Sequence, residues 1–123
     1  VGLTGVHCMD GLGGMQTFST YQRLHQQGKL SLRIVKQLPV EDLDTVIGLG
    51  LRSGFGDSWL RIGGIKIFID GALGQRTAAM LSPYVNDGEN CGLPTFDKEE
   101  LFDVTMRCAK AIDSSITAPA GAS

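Results

Sequence analysis

Residues 63–79 read GGIKIFIDGALGQRTAA, and this stretch decides the fold. Its first half is apolar and rich in β-branched residues, which predicts a strand over 62–70. Side chains of a strand alternate between its two faces, so Lys66 is expected on the face opposite Ile65. Burying an ammonium group is costly unless the charge is paired or lost. Lys66 therefore either reaches solvent at the strand end or has a chemical role.

Length and composition exclude several classes of protein. The 123 residues suit a single domain, and 11 basic against 13 acidic residues leave a net charge of −2. That balance offers no electrostatic basis for binding nucleic acid or a membrane surface. No apolar run approaches the roughly 20 residues that span a bilayer. The three cysteines match neither a disulfide framework nor a CxxC site, which favours a reducing, cytoplasmic location.

Predicted strands and helices alternate along the chain. The last helix has the clearest start, because Asp97 and Glu100 are spaced as a capping box. Alternation of this kind predicts parallel strands joined by helices, either in a barrel or in an open doubly wound sheet. The predicted strands cover 3–9, 30–38 and 62–70, and the predicted helices cover 17–27, 41–48 and a segment that follows Asp97.

The run from Lys66 to Thr77 resembles the fourth-strand signature of the amidohydrolase superfamily, in the branch called amidohydrolase family 3. That signature reads Lys-(Ile/Val)-Phe-x-Asp-Gly-(Ser/Ala)-Leu-Gly-x-Arg-Thr-Ala. The segments 2–7, 30–34 and 83–84 are also similar to the family, and the resemblance extends to about residue 112. It implies an α/β fold, a partial (β/α)8 TIM barrel with three to four βα units. Residues 1–123 would then be a fragment of the catalytic domain, with a tail at 114–123 of undefined structure.

The resemblance also implies a metal-dependent hydrolase. Lys66 would be carboxylated by carbon dioxide and would bridge two divalent metals, with zinc expected. Metal-activated water would then hydrolyse a C–N bond of a small amide-type substrate. His7, near the end of the first strand, is a candidate further ligand, although such a histidine is more often a core or rim residue.

The end of the strand that carries Lys66 and the loop that follows it supply three candidates for substrate binding, which are Asp70, Arg76 and Thr77. Arg76 is suited to clamping a carboxylate through two parallel hydrogen bonds. The alternatives are structural, because Asp70 is also suited to starting the Asp-Gly turn or to pairing with Arg76.

The other ligands of the family pattern are missing from this sequence. The pattern has a His-x-His pair on the first strand, histidines on the fifth and sixth strands and an aspartate on the eighth. Only His7 and His25 are present, and neither belongs to a His-x-His pair. No catalytic residue is therefore assigned with certainty within the chain. His25 is expected to face solvent, Asp57 to be a solvated or capping carboxylate, and Trp59 to pack against the lysine strand.

Two other classes of function stay open from the residues alone. One is a non-catalytic α/β module that binds a partner or has a structural role. The other is a nucleotide-binding enzyme with an open sheet, but neither 11–16 nor 48–53 completes a GxGxxG motif and no GxxxxGK[ST] is present. A partial barrel would expose strand edges, so self-association through these edges is expected.

The isolated chain is predicted to hold no stoichiometric, tightly bound zinc and to show no amidase turnover. One bridging ligand cannot retain a metal that needs several protein ligands. Metal analysis of the purified chain checks this prediction, and two equivalents of metal per chain would contradict it.

Overall fold

Strands and helices alternate along the chain in the computed structural model, which describes residues 2–9 and 14–112. The predicted tail at 114–123 lies outside the described residues. The predicted alternation is confirmed, with strands shorter than expected. In chain order the elements are β1 (Gly5–Cys8), α1 (Gly14–Gln26), β2 (Arg33–Pro39), α2 (Leu43–Gly48), β3 (Leu60–Lys66) and α3 (Lys98–Ile112).

The described residues fall into two units. The first unit holds the chain up to Lys66, with all three strands, together with α3 from Arg107 onwards. The second unit holds Ile67–Met106. Each unit has its own network of hydrogen bonds.

The three strands of the first unit form one parallel sheet in the order β1-β2-β3. Parallel strands need crossover connections, which α1 and α2 supply between consecutive strands. The predicted α/β class with parallel strands is therefore confirmed. This is also the arrangement of consecutive strands in a (β/α)8 barrel.

The register between β2 and β3 shifts by one residue. Lys36 lies opposite Ile62, but Leu38 lies opposite Ile65. Gln37 alone therefore faces two residues of β3, Gly63 and Gly64, which is the arrangement of a β-bulge. After the bulge Lys66 lies opposite Pro39, and it is the last residue of β3. The predicted strand end at Asp70 is wrong by four residues.

One face of the sheet, here called the apolar face, carries most of the buried core. Partners in a parallel pair share a face, so β2 and β3 contribute alternate residues to it. These residues are Ile34, Leu38, Leu60, Ile62 and Ile65, each at most 7% exposed. Helix α1 packs against β2 and β3. The hydroxyl of Tyr21 is 3.0 Å from Sγ of Cys8, which is paired with Lys36 and so lies on this face.

The opposite face, here called the polar face, carries His7, Gln37 and Lys66. His7 is paired with Val35, two residues before Gln37, and Lys66 is paired with Pro39, two residues after it. Side chains two residues apart on a strand share a face. The two faces therefore differ in chemistry, because the apolar face carries mainly aliphatic side chains, together with Cys8 and Lys36.

The outer edge of β3 is covered where the strand begins. The amide of Ile62 donates to Phe55 and its carbonyl accepts from Gly54, both at 2.8 Å. Gly56 forms an antiparallel bridge with Arg61. Backbone groups at this part of the edge are thus satisfied within the chain. Trp59 does not pack as expected: it is 42% exposed, and its ring centroid lies 5.9 Å from the guanidinium carbon of Arg33.

Helix α3 begins with the predicted capping box. The amide of Glu100 donates to the Asp97 carboxylate at 2.8 Å, and the Asp97 amide donates back to the Glu100 carboxylate at 3.2 Å. In the first unit the same helix buries Cys108 completely, and burial raises the pKa of that thiol. None of the helices in the described part of the chain has the length and apolar character to cross a membrane.

Asp57 caps the start of β3. Its Oδ1 accepts hydrogen bonds from the amides of Trp59 and Leu60, and its Oδ2 lies 2.6 Å from Nε2 of His25. The expected capping role is confirmed, while His25 is one-third exposed and bonded rather than simply solvent-facing. The Leu60 and Trp59 amides and then His25 lower the pKa of Asp57 from 3.8 to about 2.

Asp57 is predicted to make the acid stability of the first unit pH-dependent. A carboxylate whose pKa is lowered by folding stabilises the fold above its unfolded pKa, and this stability is lost as the pH falls from 3.8 towards about 2. Asp57→Asn keeps an oxygen for the two amides but does not titrate. The difference in unfolding free energy between wild type and Asp57→Asn should shrink across that interval. Denaturant titrations at several pH values measure it, with Glu41→Gln as an exposed-carboxylate control, and a difference independent of pH would contradict it.

Candidate functional site

Lys66 lies at the carboxyl end of β3. Lys66 is only 7% exposed, and its neighbours in the sequence, Ile65 and Ile67, are each 2% exposed. Carboxyl ends of parallel strands are the edge at which α/β barrels place their active sites. The alternative that Lys66 extends into bulk solvent does not hold. Lys66 is thus a buried lysine at the edge of the sheet where a catalytic group is expected.

Gln37 lies beside the bulge that precedes Lys66. Its Oε1 accepts a hydrogen bond of 2.5 Å from the Gly64 amide, and the residue is 4% exposed. A β-carbon on Gly63 would stand 2.3 Å from Nε2 of Gln37, so the Gln37 amide group occupies the space that a side chain on Gly63 would need. The hydroxyl of Ser53 donates to the Gly63 carbonyl. Side chains thus satisfy backbone groups on both bulge residues.

His7 shares the polar face with Lys66 but lies far from it. It is exposed, on β1, and its partner Val35 lies four residues before Pro39, the partner of Lys66. Strand spacing of about 4.8 Å and a rise of about 3.3 Å per residue separate the two α-carbons by roughly 16 Å. The structure therefore does not bring His7 and Lys66 together. The assignment of His7 as a ligand stays a prediction, and this separation disfavours it.

In the second unit, Asp70 and Thr77 hold the loop that follows β3. Oδ2 of Asp70 accepts from the Ala79 amide at 3.0 Å, and Oγ1 of Thr77 accepts from the Ala72 amide at 3.0 Å. A β-carbon on Gly71 would stand 2.1 Å from Oγ1 of Thr77, which explains the glycine of the Asp-Gly turn. Both side chains thus have structural roles, and their contact with substrate stays a prediction.

Arg76 has the left-handed backbone conformation, with φ of 56°. Its guanidinium is half-exposed, and Nη1 lies 3.4 Å from Oδ2 of Asp87 rather than pairing with Asp70. Asn90 fixes this arrangement by donating from Nδ2 to Oδ2 of Asp87 at 2.8 Å and to the Arg76 carbonyl at 3.1 Å. The hydrogen bond from Asn90, and then Arg76, lower the pKa of Asp87. The assignment of Arg76 to substrate binding stays a prediction.

His, Cys, Asp and Glu side chains, the usual metal ligands, do not form a metal site in the part of the chain that the structure describes. Within residues 2–9 and 14–112, no group of three or more His, Cys, Asp and Glu side chains is placed to hold a metal ion. Lys66 stays the ligand candidate that the resemblance to the family implies at the strand ends, and the sequence lacks the remaining histidines of the family pattern.

Sequence reasoning overlooked two residues. The sequence patterns do not single out Gln37. The available signal was its place in an apolar strand, because glutamine is seldom buried. Lys36 was not singled out either, yet it is completely buried on the apolar face and has an interacting partner. Its position between Ile34 and Leu38, in their alternation, was the available signal.

Comparison with known proteins identifies the family. The family model described as "Amidohydrolase family" matches residues 1–116. Putative amidohydrolase YtcJ of Bacillus subtilis (strain 168) is 34% identical over 103 residues, which cover 81% of this chain and 19% of that protein. Protein LONG AFTER FAR-RED 3 of Arabidopsis thaliana is 34% identical over 84 residues, which cover 68% of this chain and 14% of that protein.

Two solved structures share the fold. They are an uncharacterized metal-dependent hydrolase from Pyrococcus horikoshii, at 28% identity, and one from Pyrococcus furiosus, at 27% identity. Each has a TM-score of 0.71 and matches 92% of this chain and 22% of its own. The chain thus spans less than a quarter of the length of the relatives it matches. Because the family model matches residues 1–116 and both curated relatives are 34% identical, this chain belongs to the amidohydrolase family.

Proposed function

We propose that this chain is the part of a metal-dependent amidohydrolase that supplies the metal-bridging lysine. The enzyme hydrolyses the C–N bond of a small amide-type molecule. One observation carries the proposal: Lys66 is buried at the carboxyl end of a parallel strand, within a segment that matches the family. Similarity to metal-dependent hydrolases of two Pyrococcus species supports the metal. Family membership favours this function over a nucleotide-binding enzyme or a non-catalytic module.

The chemistry of Lys66 begins with its neutral amine. The nitrogen lone pair attacks the carbon of carbon dioxide and forms an N–C bond, while one C=O π bond breaks and its electron pair moves to that oxygen. One proton leaves the nitrogen for solvent. The product is a carbamate anion, and its two oxygens resemble the carboxylate oxygens that bind zinc and other divalent cations. The position of Lys66 supports this step, because its side chain is buried at the carboxyl end of β3 within the segment that matches the family.

The residues present fit one ligand of such a centre, and among residues 2–9 and 14–112 no group of three or more His, Cys, Asp and Glu side chains is placed to hold a metal ion. Divalent ions held by the Lys66 carbamate and by ligands from the rest of the enzyme would activate water and polarise the scissile carbonyl. The polar face of the sheet, with Gln37 and Lys66, would line the cavity. Ile65 on the opposite face anchors the strand in the core.

Arg76 is the residue of the loop that best fits substrate binding. Its guanidinium is half-exposed and is held near Asp87, while Asp70 and Thr77 bond to loop amides. We assign Arg76 to an anionic or carbonyl group of the substrate, and Asp70 and Thr77 to maintaining the loop. A substrate that carries a carboxylate fits this assignment.

Lys66 is predicted to carry one carbon dioxide in the full-length protein. The protein is prepared in ¹³C-bicarbonate and divalent metal, and the carbamate is measured by ¹³C NMR together with metal content. Lys66→Ala should lose the carbamate signal, most of the metal and the amidase activity. Added short-chain carboxylic acids should restore part of the metal and activity, because they supply the missing pair of oxygens.

Lys36→Met is the matched control for this experiment. It removes the other buried lysine of the sheet, from the apolar face, and should leave the carbamate signal in place. A wild-type protein that holds metal without a carbamate, or a carbamate that persists in Lys66→Ala, would contradict the proposal.

A further inference from the structure

We infer that Gln37 is a positioning residue: it maintains the bulge at Gly63–Gly64 that turns Lys66 to the polar face. The inference deepens the proposed function and rests on it for the chemical role of Lys66. The register of the sheet and the contacts of Gln37 are independent of that role. Gln37 is not a catalytic residue, because its amide contacts the bulge and acts on Lys66 through the backbone.

The bulge decides the face on which Lys66 lies. With uninterrupted pairing after Lys36 and Ile62, Leu38 would lie opposite Gly64, and Pro39 opposite the next residue, Ile65. Lys66 would then share the apolar face with Ile62, on which α1 packs. The extra residue reverses the alternation, because a shift of one residue moves every later side chain to the other face. Lys66 consequently shares the face of Gln37.

Gln37 is suited to maintain this irregularity. A bulge leaves backbone groups without their ladder partners, and a buried amide without an acceptor is costly. Oε1 of Gln37 provides that acceptor for the buried Gly64 amide at 2.5 Å. Its amide group also fills the space that a β-carbon on Gly63 would need, 2.3 Å from Nε2. The side chain and the glycine therefore depend on each other.

Two substitutions disrupt this contact from opposite sides. Gln37→Met keeps the length of the side chain but removes the oxygen that binds the Gly64 amide. Gly63→Ala places a methyl group where the Gln37 amide lies. In the full-length protein prepared with ¹³C-bicarbonate and zinc, each should reduce the Lys66 carbamate signal and weaken zinc binding roughly 10- to 100-fold. The double variant should be no worse than the poorer single variant, because both changes remove one contact.

Two controls separate positioning from general loss of stability. Ile62→Val removes one buried methyl from the apolar face of the same strand and should lower the Tm while leaving carbamate and zinc per chain unchanged. Gly48→Ala adds a methyl where no atom lies within 4 Å, and should change neither. These comparisons are made at a temperature at which circular dichroism shows each variant folded.

The outcomes distinguish this inference from the proposed function. Loss of carbamate and zinc in Gln37→Met and Gly63→Ala, with both retained in Ile62→Val, supports the positioning role. Wild-type carbamate and zinc in both variants would overturn the inference and leave the proposed function standing. The inference would also be overturned if Ile62→Val lost carbamate and zinc in the same proportion to its fall in Tm as the Gln37 and Gly63 variants do. Absence of the carbamate from the wild-type protein would instead overturn the proposed function.

Discussion

The arrangement of the candidate site depends on one β-bulge. Between Ile62 and Ile65, strand β3 has two residues where β2 has only Gln37. A regular strand with this sequence would place Lys66 among the aliphatic side chains beneath α1. The bulge lets the same strand anchor itself through Ile62 and Ile65 on one face and present a lysine on the other. Gln37 and Ser53 stabilise the irregularity by binding the backbone of Gly64 and Gly63. A strand of seven residues thus contributes both to the apolar core and to the polar face.

The loop that follows β3 is held mainly by hydrogen bonds from side chains to backbone. It contains little regular secondary structure, so polar side chains replace the ladder hydrogen bonds that a strand would provide. Asp70 and Thr77 bind loop amides, and Asn90 ties the Arg76 carbonyl to the Asp87 carboxylate. Polar residues of a signature motif can therefore define the conformation of a loop, and Arg76 takes part in this network through its contact with Asp87.

Much of the fold was predictable from the sequence, because strand and helix periodicity are local properties. The alternation of elements, the parallel class and the capping box at Asp97 and Glu100 all follow from short-range patterns. The end of β3 was not predictable, because Ile67 continues the β-branched pattern although the strand ends at Lys66. The role of Gln37 was also not predictable, because the bulge arises only when β2 pairs with β3. Gln37 and Gly64 are 27 residues apart in the sequence. Lys66 was identified through its motif, but its distance from His7 required the register of all three strands.

The central claim is that the register shift at Gly63–Gly64 places Lys66 on the polar face, and a crystal structure of the full-length protein tests it most directly. The account predicts Leu38 opposite Ile65, Pro39 opposite Lys66, and the Gln37 amide oxygen bonded to the Gly64 amide. Continuous pairing of β2 and β3, with Leu38 opposite Gly64 and the Lys66 side chain beneath α1 beside Ile62, would contradict it.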